Sequence, residues 1–256
     1  MDELEKYYNK FNEDKRLLSR HGQVEFFVAN KYIHDIINGR QNLNILDVGA
    51  GTGRYSVLLA DEGHNVTALE YVKKNVSQIN MKSNKVKALH GTALNLKKLP
   101  NDFFDITLLF GPTYHLFSHE DKLKAITEAK RVTKKDGHIL IMYLTNEYAV
   151  ITYAFKEENL QKVLSENKLD KNFQTQTSTE DLYSYVRLEE INKLKDDSGL
   201  TRTKIIAVDG PTDYIRPTIN KMSTEDFNIY KNYILSIAER PELLGASSHI
   251  LDILQK

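Results

Sequence analysis

The stretch that decides the fold is ILDVGAGTGRYS, Ile45–Ser56. Its apolar run reads as a buried strand, Asp47 stands near the end of that strand, and three glycines at alternate positions follow before an amphipathic segment begins. Glycine lets the chain turn sharply and lets a ligand reach the backbone without a Cβ in the way. The phosphate-binding strand–turn–helix fingerprint is Gly-x-Gly-x-x-Gly, whose third glycine would fall at position 54. That position is Arg54 and the glycine comes one residue early, at Gly53. No Gly-Lys-Ser/Thr follows, so a nucleotide P-loop is excluded as well.

Working outward, short apolar runs alternate with helical stretches. The pattern predicts strands over 43–48, 65–70, 86–90, 104–110 and 138–144, with helices near 53–61, 72–82 and 119–132. Ser118 begins the last of these with a capping-box spacing, and Leu123, Ile126 and Val132 point inward. Such alternation implies an α/β fold with a doubly wound, mostly parallel sheet. Two later strands, 203–208 and 248–254, flank a helix near 224–239 and bring the expected count to seven. Ahead of the first strand, helices over 1–18 and 23–38 form an N-terminal cap. The segment 145–200 breaks the rhythm with scattered aromatics, a polar run at 174–179 and one helix near 188–198. The expected organisation is a single domain over 1–256, with a helical cap (1–40), a ligand-binding core (41–144), an insertion after strand 5 (145–200) and the final strands (201–256).

With 256 residues, 41% apolar and 27% charged, the chain can bury a substantial core. Lys plus Arg equals Asp plus Glu at 35 each, which disfavours nucleic acid or anionic lipid as a partner. The absence of cysteine removes disulfides, thiolate metal sites and cysteine nucleophiles. The start, MDELEKYYNK, is unlike a secretory leader, and the apolar runs are too short to span a bilayer, so the expectation is a cytoplasmic protein without a membrane segment. Histidines 21, 34, 64, 90, 119, 138 and 249 have no metal-ligand spacing, and no metal is expected.

Asp47-x-Gly49-x-Gly51-x-Gly53 resembles the first motif of the class I S-adenosylmethionine-dependent methyltransferases. That resemblance implies a Rossmann-like methyltransferase fold and S-adenosyl-L-methionine as cofactor, with the turn, Ala50 included, wrapping the methionine and ribose part of a phosphate-free ligand. Glu70 ends the second predicted strand 21 residues past Gly49, where an acid can accept both ribose hydroxyls; Tyr71 follows it. After the third strand, Thr92 stands where family members commonly carry an acid for the adenine amino group. A neutral hydroxyl accepts more weakly than a carboxylate, so the backbone of Ala93 and Leu94 is the alternative contact.

The loop after the fourth strand faces the reacting methyl in this family. Here it reads Phe110-Gly111-Pro112-Thr113-Tyr114-His115, and with RVTKKDGHILIMYL and LGASSH it is similar to a bacterial subgroup whose members mostly lack an assigned substrate. The resemblance implies transfer to a small-molecule oxygen, nitrogen or carbon acceptor. His115 is the candidate general base or else orients the cofactor loop, and Tyr114 lines the methyl site or packs. Tyr8 is a candidate pocket residue, because the N-terminal helices close over the cofactor in this family. The 145–200 segment is either a substrate lid or an extra layer on the sheet. Two alternatives stay open: the same chemistry on RNA or protein, and a cofactor-binding protein without turnover.

Overall fold

A computed structural model describes residues 18–256. The expected helix over 1–18 and the pocket candidate Tyr8 therefore lie, but for Leu18, outside the described residues. The next helix, α1 (Arg20–Ile37), starts three residues earlier than its periodicity suggests, because the Ser19 hydroxyl caps it by accepting from the Gly22 N–H. Asn38 ends it in the left-handed conformation that asparagine tolerates.

From there the alternation unfolds as β1 (Asn44–Val48), α2 (Arg54–Asp61), β2 (Asn65–Glu70), α3 (Lys73–Lys82), β3 (Lys87–His90) and β4 (Phe104–Leu109). Next come a 3-10 turn (Pro112–His115), α4 (His119–Val132) and β5 (Thr133–Leu144). Ser118 caps α4 as its sequence signature requires, accepting from the Asp121 N–H at 3.0 Å. β5 begins five residues before the predicted start, running directly out of α4, with its register against β4 shifted between Phe104 and Ile106. That irregularity hides the early strand residues, which read as a polar turn.

The 145–200 segment is more helical than its composition suggests. Thr145 caps α5 (Asn146–Ala149), which continues as a π-helical stretch (Val150–Lys156); α6 (Leu160–Ser165) and α7 (Leu188–Ser198) follow. Its β-branched and aromatic residues disfavour a helical reading, yet Val150 and Ala154 are buried while Ile151, Tyr153 and Phe155 face outward. β6 (Thr201–Ala207), a further 3-10 turn (Gly210–Ile215), α8 (Arg216–Ile219), α9 (Thr224–Ile237), a third such turn (Pro241–Ala246) and β7 (His249–Gln255) complete the chain.

The seven strands lie in the order β3-β2-β1-β4-β5-β7-β6. All neighbours are parallel except β7, which runs antiparallel to both β5 and β6. Alternation along the strands divides the core. Ile45, Ile106 and Leu108 pack with Val28 and Ile33 of α1, Leu59 of α2 and Ile234 of α9. Leu46, Leu109 and Ile141 pack on the other face with Ile126 of α4 and Ile191 of α7. Each such fully buried side chain contributes roughly 1.5–3 kcal/mol.

One charge pair is built into this sheet. Asp252 on β7 is fully buried and takes both Arg202 Nε (2.6 Å) and Nη2 (2.8 Å) from β6. Burial pushes the Asp252 carboxyl up and the guanidinium pulls it back only in part. Arg202→Met is expected to destabilise the fold by about 3–5 kcal/mol, because it leaves that carboxylate buried without its partner. Urea unfolding measures this; a loss below about 1 kcal/mol would mean the pair contributes little.

Candidate functional site

The glycine turn is stitched to the neighbouring strand. The N–H groups of Gly49 and Ala50 both donate to the Leu69 carbonyl, at 2.8 and 3.2 Å, which brings the carboxyl ends of β1 and β2 together. Gly49, Gly51 and Gly53 have φ of 77°, 54° and 85°, a region in which side chains are strained. A Cβ on Gly49 would stand 2.6 Å from Pro112 Cδ, and one on Gly53 2.8 Å from Ile79 Cγ1. Gly53 therefore sits where it does so that α2 can start tightly against α3.

Two buried acids flank the turn. Asp47 is 1% exposed and receives the Ser56 hydroxyl at 2.5 Å. Burial raises its carboxyl to about 6, with the nearby Glu70 charge adding to the effect and Ser56 opposing it. Glu70 is 6% exposed; Oε2 accepts the Gly51 N–H at 2.9 Å, and Oε1 accepts the Val72 N–H at 2.8 Å and the Asn75 amide at 3.3 Å. Burial raises its pKa in spite of these donors.

The turn opens into a cavity of about 1180 Å³ bounded by the described residues. Asp47, Gly49, Ala50, Gly51, Glu70, Tyr71, Thr92, Ala93, Leu94, Phe110, Gly111, Tyr114 and His115 all line it, so the structure brings these predicted positions into one site. Gly53 does not line it. Thr92 turns its hydroxyl back to accept from the Leu94 N–H at 3.3 Å. Phe110 packs edge-on against Tyr55, whose other side meets Phe26 of α1. A Cβ on Gly111 would meet nothing nearer than the Gly49 carbonyl at 3.9 Å, so the bare backbone there leaves the cavity wall open.

His115 Nδ1 lies 2.8 Å from the Leu182 carbonyl. A carbonyl only accepts, so Nδ1 carries the hydrogen and Nε2 is the acceptor of the ring. Burial lowers the pKa of His115, which keeps the imidazole neutral near pH 7. Thr179, Glu180, Asp181, Leu182, Tyr183 and Tyr185 close the same cavity from the insertion.

Residues that sequence reasoning passed over complete the far wall. His249 packs 5.8 Å from the Tyr114 ring and is bonded through Nδ1 to Asp209 at 2.7 Å. Asp213 beside it accepts from Arg216 at 2.8 Å; burial would raise its carboxyl, but the guanidinium prevails and holds it low. The LGASSH motif contains His249, yet its partner lies 40 positions earlier and nothing in the local spacing joins them. Among the described residues no group of three or more His, Asp or Glu is placed to hold a metal ion, and no helix is long and apolar enough to cross a membrane.

Residues 46–141, from β1 to β5, match a methyltransferase domain family. This stretch, which holds the glycine turn and the acid ending β2, is similar to S-adenosylmethionine-dependent methyltransferases. It is 27% identical over 128 residues to the glycine/sarcosine N-methyltransferase of Aphanothece halophytica, covering 48% of each protein. It is 29% identical over 111 residues to the demethylmenaquinone methyltransferase of Renibacterium salmoninarum, covering 43% of this chain and 45% of that one. The matches thus span about half the length of these curated relatives. An S-adenosylmethionine-dependent methyltransferase of Thermotoga maritima shares the fold across 98% of this chain and 97% of its own, with a TM-score of 0.60 and 20% identity.

The cofactor of the family is S-adenosylmethionine, and the residues present fit it. The open wall at Gly111 and the bare turn leave room for a nucleoside, and the buried carboxylate of Glu70 lines the same cavity at the end of β2, where it would face ribose hydroxyls.

A pH dependence follows from Asp47. Its folded-state pKa lies above its unfolded value of 3.8, so the native state binds the extra proton and stability falls as pH rises from about 4 to about 6. Asp47→Asn removes this slope. Urea titrations of both proteins should show the variant gaining on the wild type across that interval, by on the order of 3 kcal/mol, and no further change above it. Parallel curves would refute the assignment.

Proposed function

We propose that the protein transfers the methyl group of S-adenosylmethionine to a small-molecule acceptor at oxygen, nitrogen or carbon, with 1–256 acting as one catalytic unit. The observation that carries this reading is the continuity of one aromatic-walled cavity from the Gly49–Gly53 turn to Tyr114, His115 and the tyrosines of the insertion. The two curated relatives are named for small acceptors, glycine and sarcosine in one case and demethylmenaquinone in the other. The balanced charge of 35 basic and 35 acidic residues counts against a nucleic-acid acceptor.

When bound, the cofactor supplies a sulfonium-activated methyl group. The chain's own residues then do the positioning, which by itself can lower a barrier by roughly 7–11 kcal/mol. Glu70 holds the ribose, the turn from Gly49 to Gly53 follows the methionine part, and Ala93 and Leu94 offer backbone groups to the adenine. Tyr71, Phe110 and Gly111 shape the walls. Tyr114 and neutral His115 border the acceptor side, and residues 179–185 form the lid that excludes water over it.

Calorimetry with S-adenosylhomocysteine tests the cofactor site. Wild type should bind, and Gly51→Val, which forces a β-branched residue into φ near 54°, should weaken binding at least tenfold, about 1.4 kcal/mol. Glu70→Ala should do the same. Unchanged affinity in both variants would place the cofactor elsewhere. Formation of S-adenosylhomocysteine that depends on a member of an acceptor panel then establishes turnover.

A further inference from the structure

We propose that His249, held by Asp209, is the general base that takes the proton from a hydroxyl of the methyl acceptor, which makes that acceptor an alcohol or a phenol. The inference rests on the methyltransferase reading above and assigns the chemical class that reading leaves open.

The topology places the pair. β6 runs parallel to β5, so the chain leaving it carries Asp209 to the carboxyl ends of the strands; β7 runs the other way, so its first residue, His249, starts at the same end, opposite Leu144. Asp209 is 3% exposed and held by four donors: the Ser247 hydroxyl (2.6 Å) and the His249 N–H (3.0 Å) on Oδ1, the Ser248 hydroxyl and His249 Nδ1 (2.7 Å) on Oδ2. A carboxylate oxygen so placed makes Nδ1 the protonated nitrogen and Nε2 the accepting one. The fixed negative charge stabilises the imidazolium that forms when Nε2 takes a proton, as the acid of a His–Asp pair does in other enzymes.

His115 has a different neighbour at Nδ1. Its Nδ1 donates to a neutral carbonyl and burial disfavours its charged form, so it is suited to orient an acceptor and poorly suited to hold the proton. Among the described residues, other charged and titratable groups around the pair include Tyr114, 5.8 Å from the His249 ring, and Asp213, which is paired with Arg216 and feels the charges of both His249 and His21. A neutral amine attacks through its own lone pair, whereas a hydroxyl becomes a strong nucleophile only as its proton leaves, and an Asp-backed imidazole is built for that task.

The step balances. The hydroxyl proton passes to His249 Nε2, the acceptor oxygen's electron pair forms the bond to the methyl carbon, and the carbon–sulfur bond breaks with its electrons going to sulfur. The products are a methyl ether and S-adenosylhomocysteine, and the imidazolium later releases its proton to water.

The test uses the full chain saturated with S-adenosylhomocysteine and 4-nitrophenol as probe, whose phenolate is read by absorbance across pH. In wild type the bound probe should ionise at least about one pH unit lower than in buffer, a tenfold change in the ionised fraction. His249→Gln and Asp209→Asn should abolish the shift while S-adenosylhomocysteine affinity stays within about twofold. If wild type leaves the probe's ionisation unchanged, or if the shift survives in H249Q, the assignment is wrong. If S-adenosylhomocysteine itself fails to bind wild type, the methyltransferase reading falls instead.

Discussion

The site depends on one buried carboxylate. Glu70 sits at the tip of β2 and binds the Gly51 N–H of the turn that leaves β1, the Val72 N–H of its own exit and the Asn75 amide of α3. Those donors offset much of the cost of burying a charge, although burial still prevails in raising its pKa. The result is a turn whose backbone is fixed from outside itself, so it needs no ligand to hold its shape. Preorganisation of this kind spares a bound molecule the cost of ordering the loop.

The same economy of polar contacts appears at the opposite wall. Asp209 gathers Ser247, Ser248 and His249 around one carboxylate, as Glu70 gathers the turn. Between the two walls stands Tyr114, whose ring faces His115 at 6.3 Å and His249 at 5.8 Å. The cavity thus has one half made at the ends of β1, β2 and β4 and another made by β5, β7 and the insertion. The first half lies within the matched domain, residues 46–141, and much of the second lies outside it.

The insertion shows why some of this was hard to read. Its first helix is π-wound and rich in β-branched and aromatic residues, so neither propensity nor 3.6-residue periodicity points to it. Its function as a wall comes from Leu182 reaching His115 and from Tyr183 and Tyr185 turning inward, contacts made across more than 60 residues of sequence. By contrast α4 and its cap were legible, because Ser118, Asp121 and the buried Ile126 obey local rules.

The sequence by itself determined the parallel half of the sheet, the glycine turn and the acid ending β2. These are short-range features: a strand's alternation, three positive-φ glycines and a fixed spacing between turn and acid. The tertiary structure alone put a carboxylate behind His249. Asp209, just past the end of β6, and His249, the first residue of β7, lie 40 positions apart, and the reversal of β7 against β5 and β6 brings them to one end of the sheet.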